Sequence, residues 1–553
     1  MARVIGIGVQ DFESLRKDSL FYVDKTGFLT SWWFSKDQVT LVTRPRRFGK
    51  TLMMKTVERF FSCHYDDQAD LFGDLKVWQD LDMRSLAGSM PVVFMSFGDL
   101  KPADYAEAKI AFSDKLKSVI DKFSYIYDSD KVSDDLRSSL KSFGRDAQDV
   151  AATKIAIKKL CKALYQYHGV KPLILLDEYD TLLQEAWLKG YWDSLSEFMR
   201  GWINSTFKTN EMLERGLLTG ITRIGKESFF SDFNNVAVVT VTSPQYETDF
   251  GFTEAEVCAA LAEYDLSDHF EEVRRWYDGF RFGNRDGIYN PWSITQFLKH
   301  RQLKPHWLNV GADCLIEYEL ATAGKIAKSD FERLMNGGVI SARINEQISF
   351  RDLRGGVTFL WSLLLTAGYL KIVGEEPTGV YQLQLTNYEV QLGFENMIRR
   401  WFDTDSGAFN DFVIALLACD IDALNACMTQ MAEESFSFFD ATGRTPENFY
   451  HGFVLGMLVQ LKDRFLVSSN RESGYGRYDV MLEPKNPRHD DAYILEFKVR
   501  QPGREATLKE TLLNAKLQIT AKAYDRELVK RGIEKRRIHA LGIVFDQKKV
   551  LIG

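Results

Sequence analysis

Residues 39–51 read Val39-Thr40-Leu41-Val42-Thr43-Arg44-Pro45-Arg46-Arg47-Phe48-Gly49-Lys50-Thr51. A run of strand-forming residues enters a short turn. Leu52, Met53, Val57, Phe60 and Phe61 then continue at helical spacing, so the helix is expected to begin at Lys50. A buried strand feeding a loop that ends in Gly-Lys-Thr makes a phosphate site, because the first N–H groups of the helix face the anion and the dipole adds to them. The spacing assigns Lys50 to the β- and γ-phosphates and Thr51 to Mg²⁺, with Arg46, Arg47, Phe48 and Gly49 completing the cradle. Glycine is expected six residues before the lysine, where the backbone turns closely round the phosphates; Arg44 stands there.

A second stretch, residues 172–180, reads Pro-Leu-Ile-Leu-Leu-Asp-Glu-Tyr-Asp. Four apolar residues followed by Asp-Glu form the Walker B pattern of a central parallel strand. Asp177 would hold Mg²⁺ through water and Glu178 would polarise the attacking water. Residues 215–222 predict a further strand, whose Thr219 or Thr222 would sense the γ-phosphate, with Arg223 just beyond to contact it; a structural threonine is the competing reading. Residues 91–97 predict another buried strand. Amphipathic helices are expected at 103–127 and 148–168, with a polar, mobile connection over 129–148. Strands alternating with helices predict an α/β fold with ligand at the C-terminal strand ends.

With 553 residues the chain is too long for one core. Its 45% hydrophobic and 27% charged residues describe a soluble globular protein. The N-terminus has no signal pattern and no stretch is apolar enough to span a membrane, so a cytoplasmic protein is expected. Six scattered cysteines without a Cys-x-x-Cys pair argue against structural zinc and disulfides. Net charge is −7, yet residues 441–553 hold 21 Lys and Arg against 14 Asp and Glu. A basic module on an acidic body suits a nucleic-acid-binding C-terminus.

From residue 245 the pattern turns helical, and Asn290-Pro291 marks a helix start, cap then first position. Residues 245–404 are expected to form a helical lid with a winged-helix-like module, and residues 405–440 a helical linker. Beyond 441 the expected order is a helix at 449–461, strands at 464–468, 477–482 and 492–499, one long helix at 507–529, and a last strand at 537–545. This is the order of restriction-endonuclease-like nucleases. Asp479 lies in the second of these strands and Glu496-Phe497-Lys498 at the end of the third. Residues i and i+2 of a strand face one side, so Glu496 and Lys498 point together. Asp479, Glu496 and a backbone carbonyl offer hard oxygen ligands for Mg²⁺, or Mn²⁺. The metal would activate a water, and Lys498 would orient that water or neutralise the developing charge. Glu483 is a candidate additional ligand, with a solvent-facing position as the alternative. Gln518, Lys522 and Tyr524 are expected to contact the DNA backbone, with surface packing as the alternative.

Together these strings resemble the AAA-ATPase-like family of bacterial proteins. The resemblance is carried by Tyr22-Val23-Asp24-Lys25-Thr26, by Arg44 to Thr51, by Leu176 to Asp180, by Thr219 to Arg223 with Phe233-Asn234-Asn235, and by Trp276-Tyr277-Asp278-Gly279. The C-terminus, from Glu472 through Tyr478-Asp479 to Glu496-Phe497-Lys498, resembles the PD-(D/E)XK nuclease domain fused to that ATPase. The resemblance implies a P-loop domain at 1–244, a nuclease-like domain at 441–553, and Arg in place of the first P-loop Gly as a rule. It also implies a role in mobile elements or phage defence. Here Tyr478 takes the family's proline position, and His451 stands in the helix where some relatives of the nuclease fold carry a further acidic ligand. Three functions follow: an ATP-gated, Mg²⁺-dependent DNA nuclease; a nucleotide-dependent switch or scaffold that binds nucleic acid or protein and cuts nothing; or an ATPase whose C-terminal domain is only an oligomerisation platform. A homo-oligomer stays open, since no arginine finger is evident.

Overall fold

The computed structural model describes residues 2–144, 149–222, 235–307, 330–331, 333–335, 337–345, 357–376, 379–401, 406–435, 458, 461, 464–469, 472–473, 476–477, 479–487, 489–500, 505–522, 524–546 and 549–553. The chain divides into two compact units, one of residues 1–323 and 333–391, the other of residues 324–332 and 392–553. No helix among the described residues is long and apolar enough to cross a membrane.

The first unit is built on a parallel sheet. Its strands are β1 (Val39–Thr43), β2 (Val92–Ser96), β3 (Leu173–Asp177), β4 (Arg215–Gly220) and β5 (Val236–Val239), in the order β2-β3-β4-β1-β5. Both faces are covered, so β1, β3 and β4 are buried along their whole length. Helix α1 (Lys50–Phe61) buries Met53, Met54, Val57, Phe60 and Phe61 against one face. Helices α2 (Tyr105–Asp121), α3 (Asp134–Ser142), α4 (Val150–His168) and α5 (Trp192–Ile203) follow in the chain. The connection expected to be polar and mobile over 129–148 contains α3, because Leu136 and Leu140 stand one turn apart and are both buried.

Beyond the sheet come α6 (Glu254–Glu263), α7 (Phe270–Tyr277), the short hairpin β6 (Phe280–Phe282) and β7 (Arg285–Tyr289), and α8 (Pro291–His300). Asn290 caps α8, its Oδ1 accepting from the N–H groups of Trp292 and Ser293. The N-terminal residues Ile5 and Phe21 share a core with Val257, Leu261, Val273 and Ile294 of these helices. Lys25 joins them by an ion pair to Glu256 at 2.6 Å, and Asp24 accepts from Thr26 and from the Lys76 N–H; both are thereby structural. A three-stranded antiparallel sheet of β8 (Ile340–Arg343), β9 (Leu370–Glu376) and β10 (Val380–Leu385), in the order β9-β10-β8, holds helix α9 (Val357–Thr366) between its first two strands in sequence. The chain then passes from the first unit to the second along α10 (Tyr388–Trp401).

The second unit carries α11 (Ser406–Leu417) and α12 (Ile421–Ser435). Residues 405–440, expected as a linker, thus supply Phe412, Leu416, Leu424 and Met428 to the core of the following sheet. That sheet contains β11 (Phe465–Ser469), β12 (Val480–Pro484), β13 (Ala492–Val499), β14 (Ile538–Asp546) and β15 (Lys549–Ile552), paired in chain order. Only β13 and β14 run parallel, with the helices between them. The one long helix expected there is two: α13 (Leu508–Lys522) and α14 (Asp525–Lys530). The chain breaks at Tyr524, which turns inward and is fully buried. The expected helix at 449–461, His451 and Tyr478 lie outside the described residues, apart from buried Leu458 and Leu461.

Candidate nucleotide and nuclease sites

The nucleotide site gathers where β1, β3 and β4 end side by side. Val42 pairs with Thr219 and Leu176 with Leu218, so Arg44 to Gly49, Asp177 and Gly220 share one edge of the sheet. Helix α1 begins at Lys50, as its spacing requires, and Gly49 caps it in a left-handed conformation. Lys50 is buried and its ammonium donates to the loop's own carbonyls, Arg44 O at 2.9 Å and Pro45 O at 2.7 Å. Burial pushes its pKa down to about 8, against the opposing pull of Asp177, Asp180 and Glu178.

Asp177 is buried, and its Oδ1 accepts from the Thr219 hydroxyl at 2.5 Å. Its Oδ2 has no hydrogen-bond partner among the described residues. A buried carboxylate oxygen left open beside a lysine and a Thr51 at the helix start fits a divalent cation. Glu178 sits at φ +52° with its carboxyl pushed up by burial and by Asp177. Gly98, just past β2, makes room for it: a Cβ there would lie 2.1 Å from Glu178 Oε2. Nothing in the sequence pattern marks Gly98, because its role comes from the neighbouring strand.

Several expected cradle residues take other places. Thr222 directs both its N–H and its hydroxyl to Asp180 Oδ2, at 2.8 and 2.9 Å, while Thr219 is the strand hydroxyl that meets Asp177. Asp180 thereby braces the end of β4, a role its place in the Asp-Glu-Tyr-Asp string did not disclose. Arg223, Phe233 and Asn234 lie outside the described residues. The Phe48 ring is buried against Phe280 and Phe282, with centroids 4.7 and 5.3 Å away. The Arg47 guanidinium lies 4.3 Å from the centroid of Trp292. The side chains of Phe48 and Arg47 are thus both engaged with aromatic rings of the following segment.

Arg44 explains the missing glycine. Its side chain is fully buried, donates to the carbonyls of Thr43, Thr240, Gln245 and Tyr246 at 2.7–3.3 Å, and lies over the Phe282 ring at 4.6 Å. It clamps the loop start to the segment after β5. Restoring the consensus with Arg44→Gly is therefore expected to destabilise the first unit by about 3 kcal/mol or more, since buried carbonyls lose a charged donor. Urea unfolding read by tryptophan fluorescence checks this, and an unchanged midpoint would contradict it.

The same unit holds a buried carboxylate outside the strand ends. Glu389 accepts from the Trp307 N–H at 2.6 Å and the Ser293 hydroxyl at 2.8 Å. Burial raises its pKa from the ordinary 4.5 to about 7, against those hydrogen bonds. The folded state thus binds a proton that the unfolded chain has already lost between these two values. Stability from Glu389 is full below about pH 4.5 and falls as pH rises toward 7. Glu389→Gln abolishes this slope, so the variant is expected to gain about 2–3 kcal/mol relative to the native chain between pH 5 and 7.5. Parallel urea unfolding curves at the two pH values measure it; an equal difference at both would refute the assignment.

In the second unit the nuclease candidates follow from strand alternation. Tyr493, Leu495 and Phe497 of β13 face the core made with α11 and α12. Ala492 and Ile494 face Ile519 of α13, Leu528 of α14 and Tyr524 between the two helices. Glu496 and Lys498 continue this second face. Glu496 is 2% exposed, and Gln518 of α13 donates to its Oε1. The carbonyl oxygen of the same Gln518 accepts from the Lys498 ammonium at 2.7 Å. Asp479 stands one residue before β12 rather than within the strand, and its Oδ2 accepts from the Phe497 N–H at 2.7 Å. Asp479, Glu496 and Lys498 thus converge at one end of the sheet, and two carboxylates with a lysine fit a hard divalent cation. Gly542, opposite Glu496 on β14, lets α13 approach, since a Cβ there would meet Leu512 at 2.7 Å.

The expected DNA contacts separate. Gln518 belongs to the carboxylate cluster. Tyr524 is buried and its hydroxyl accepts from Gln518 at 3.4 Å, so it is a core residue supporting the cluster. Lys522 is exposed at the last turn of α13. Glu483, the candidate additional ligand, is paired with Arg531.

Comparison with known proteins agrees with this division. Residues 6–230 match the family model described as predicted AAA-ATPase, and residues 445–553 that of the PD-(D/E)XK nuclease superfamily. The chain is also 24% identical over 571 aligned positions to a protein of Azotobacter chroococcum mcd 1 called "Uncharacterized protein in vnfD 5'region", covering 98% of this chain and 96% of that one. The chain thus resembles the AAA-ATPase-like family over residues 6–230 and the PD-(D/E)XK nuclease superfamily over residues 445–553.

Proposed function

We propose that this protein is an ATP-gated, Mg²⁺-dependent DNA nuclease, with a place in defence or mobile-element biology as the family resemblance implies. The carrying observation is the convergence of Asp479, Glu496 and Lys498, with one amide, Gln518, bonded to both Glu496 and Lys498. Asp479 and Glu496 would hold Mg²⁺, or Mn²⁺, which accepts the same hard oxygen donors. When bound, the ion supplies a water of lowered pKa and positive charge for the phosphodiester in its transition state. Lys498, oriented by Gln518, neutralises charge developing on the scissile phosphate. Lys522 contacts the DNA backbone.

At the other site Lys50 binds the β- and γ-phosphates of ATP, Thr51 and Asp177 hold Mg²⁺, and Glu178 orients the attacking water. Arg46 and Gly49 complete the cradle and Arg223 contacts the γ-phosphate. Cleavage of plasmid and of linear single- and double-stranded DNA, in Mg²⁺ or Mn²⁺ with and without ATP, tests the whole. Metal-dependent products whose yield responds to ATP support it; ATP binding without cutting under any condition refutes it.

The second reading, a nucleotide-controlled binding protein, is favoured by one observation. The order β8, α9, β9, β10, a strand before a helix and a hairpin after it, suits a winged-helix module. It predicts DNA binding without metal that weakens steeply with salt.

A further inference from the structure

We propose that Trp307 and Glu389 are positioning residues for the nucleotide loop, fixing the Arg46 carbonyl from outside the parallel sheet. The inference rests on the nucleotide site proposed above and adds what sets its loop geometry. The loop lacks its first glycine, so its conformation must come from elsewhere. The carbonyl of Arg46 accepts the indole N–H of Trp307 at 3.0 Å and the side-chain amide of Asn290 at 3.3 Å. Both donors are themselves held. Asn290 is buried and fixed by capping α8 through its other side-chain atom. The Trp307 backbone N–H donates to Glu389, and its ring packs 5.7 Å from Phe280 and 5.1 Å from Tyr369. Glu389 is in turn held by Ser293 in the first turn of α8. A carbonyl held by two donors fixes its own peptide plane, so the Arg47 N–H of that plane points to the side opposite Trp307 and Asn290. That is the orientation an anion at the start of α1 requires.

A buried carboxylate facing hydroxyl and amide donors carries a desolvation penalty that packing alone does not call for. Its place makes sense if it orients Trp307.

Trp307→Phe removes one donor and keeps an aromatic ring. Glu389→Leu removes the acceptor that orients Trp307, and Glu389→Gln retains a carbonyl for it. Two readouts are measured on the full chain: hydrogen exchange of the backbone amides at 46–50 without nucleotide, and ATP affinity. Exchange at 46–50 is expected to quicken about tenfold in Trp307→Phe and Glu389→Leu, with β1 and β3 unchanged, and to stay near native in Glu389→Gln. ATP affinity should fall about tenfold in the first two and be rescued in the third. Faster exchange in Trp307→Phe and Glu389→Leu, when the native chain itself binds no ATP, would uphold the positioning role and refute the nucleotide reading. Exchange at 46–50 unchanged in Trp307→Phe, or quickened equally throughout the sheet, would overturn the inference.

Discussion

Glu496→Ala is expected to abolish metal-dependent DNA cleavage, lowering the rate by at least about 10²–10³-fold. Glu496 projects from a strand buried on both faces, and its carboxylate is held in place by Gln518. Its removal takes away one of the two carboxylates that the described residues bring together here, the other being Asp479, so that donor set keeps half its negative charge. Glu496→Gln keeps the shape and loses the charge, and should be equally inactive. Gln518→Ala leaves both carboxylates but frees Lys498 and Glu496 to reorient, and should cost about 10–100-fold. Plasmid nicking at several Mg²⁺ concentrations, with circular dichroism to verify folding, measures all three. Cleavage by Glu496→Ala at the native rate would remove this site from the reaction. A loss in Glu496→Ala without one in Gln518→Ala would mean that the amide bridge is dispensable.

Lys50→Ala is expected to lower ATP affinity by about 10²–10³-fold, since two or more charge-assisted hydrogen bonds of about 1.5–3 kcal/mol each are lost. Lys50 is already buried against Asp177 and donates to two loop carbonyls. Phosphate must replace those carbonyls, so what appears as binding is the difference between an ammonium–phosphate and an ammonium–carbonyl contact, with little further loss of side-chain freedom. Lys50→Arg would keep the charge, but the wider guanidinium must fit where the ammonium now reaches Arg44 O and Pro45 O. It should recover little. Titration calorimetry with ATP in Mg²⁺ gives the affinities. Native affinity in Lys50→Ala would move the nucleotide away from this loop. With ATP binding lost and cleavage insensitive to ATP in the same variant, the nuclease would be shown to be nucleotide-gated through this loop.

Local sequence determined the elements whose chemistry depends on neighbours in the chain. The apolar run before Gly-Lys-Thr and the helical spacing after it placed β1 and the start of α1, since Lys50 is the first residue of that helix. The run ending in Asp177-Glu178 placed β3, and alternation along β13 put Glu496 and Lys498 on one face. Tertiary structure decided what depends on residues far apart. Arg44 looks like a defect in the loop until Thr240, Gln245 and Tyr246 surround it. Tyr524 reads as a surface contact because helical periodicity cannot show that the helix ends beneath it and turns the ring inward. The linker expected at 405–440 became core because its apolar stripe meets a sheet formed some fifty residues later. Trp307 and Glu389 carry no motif. Their hydrogen bonds to the loop and to each other span hundreds and tens of residues, and only packing brings such groups within 3 Å.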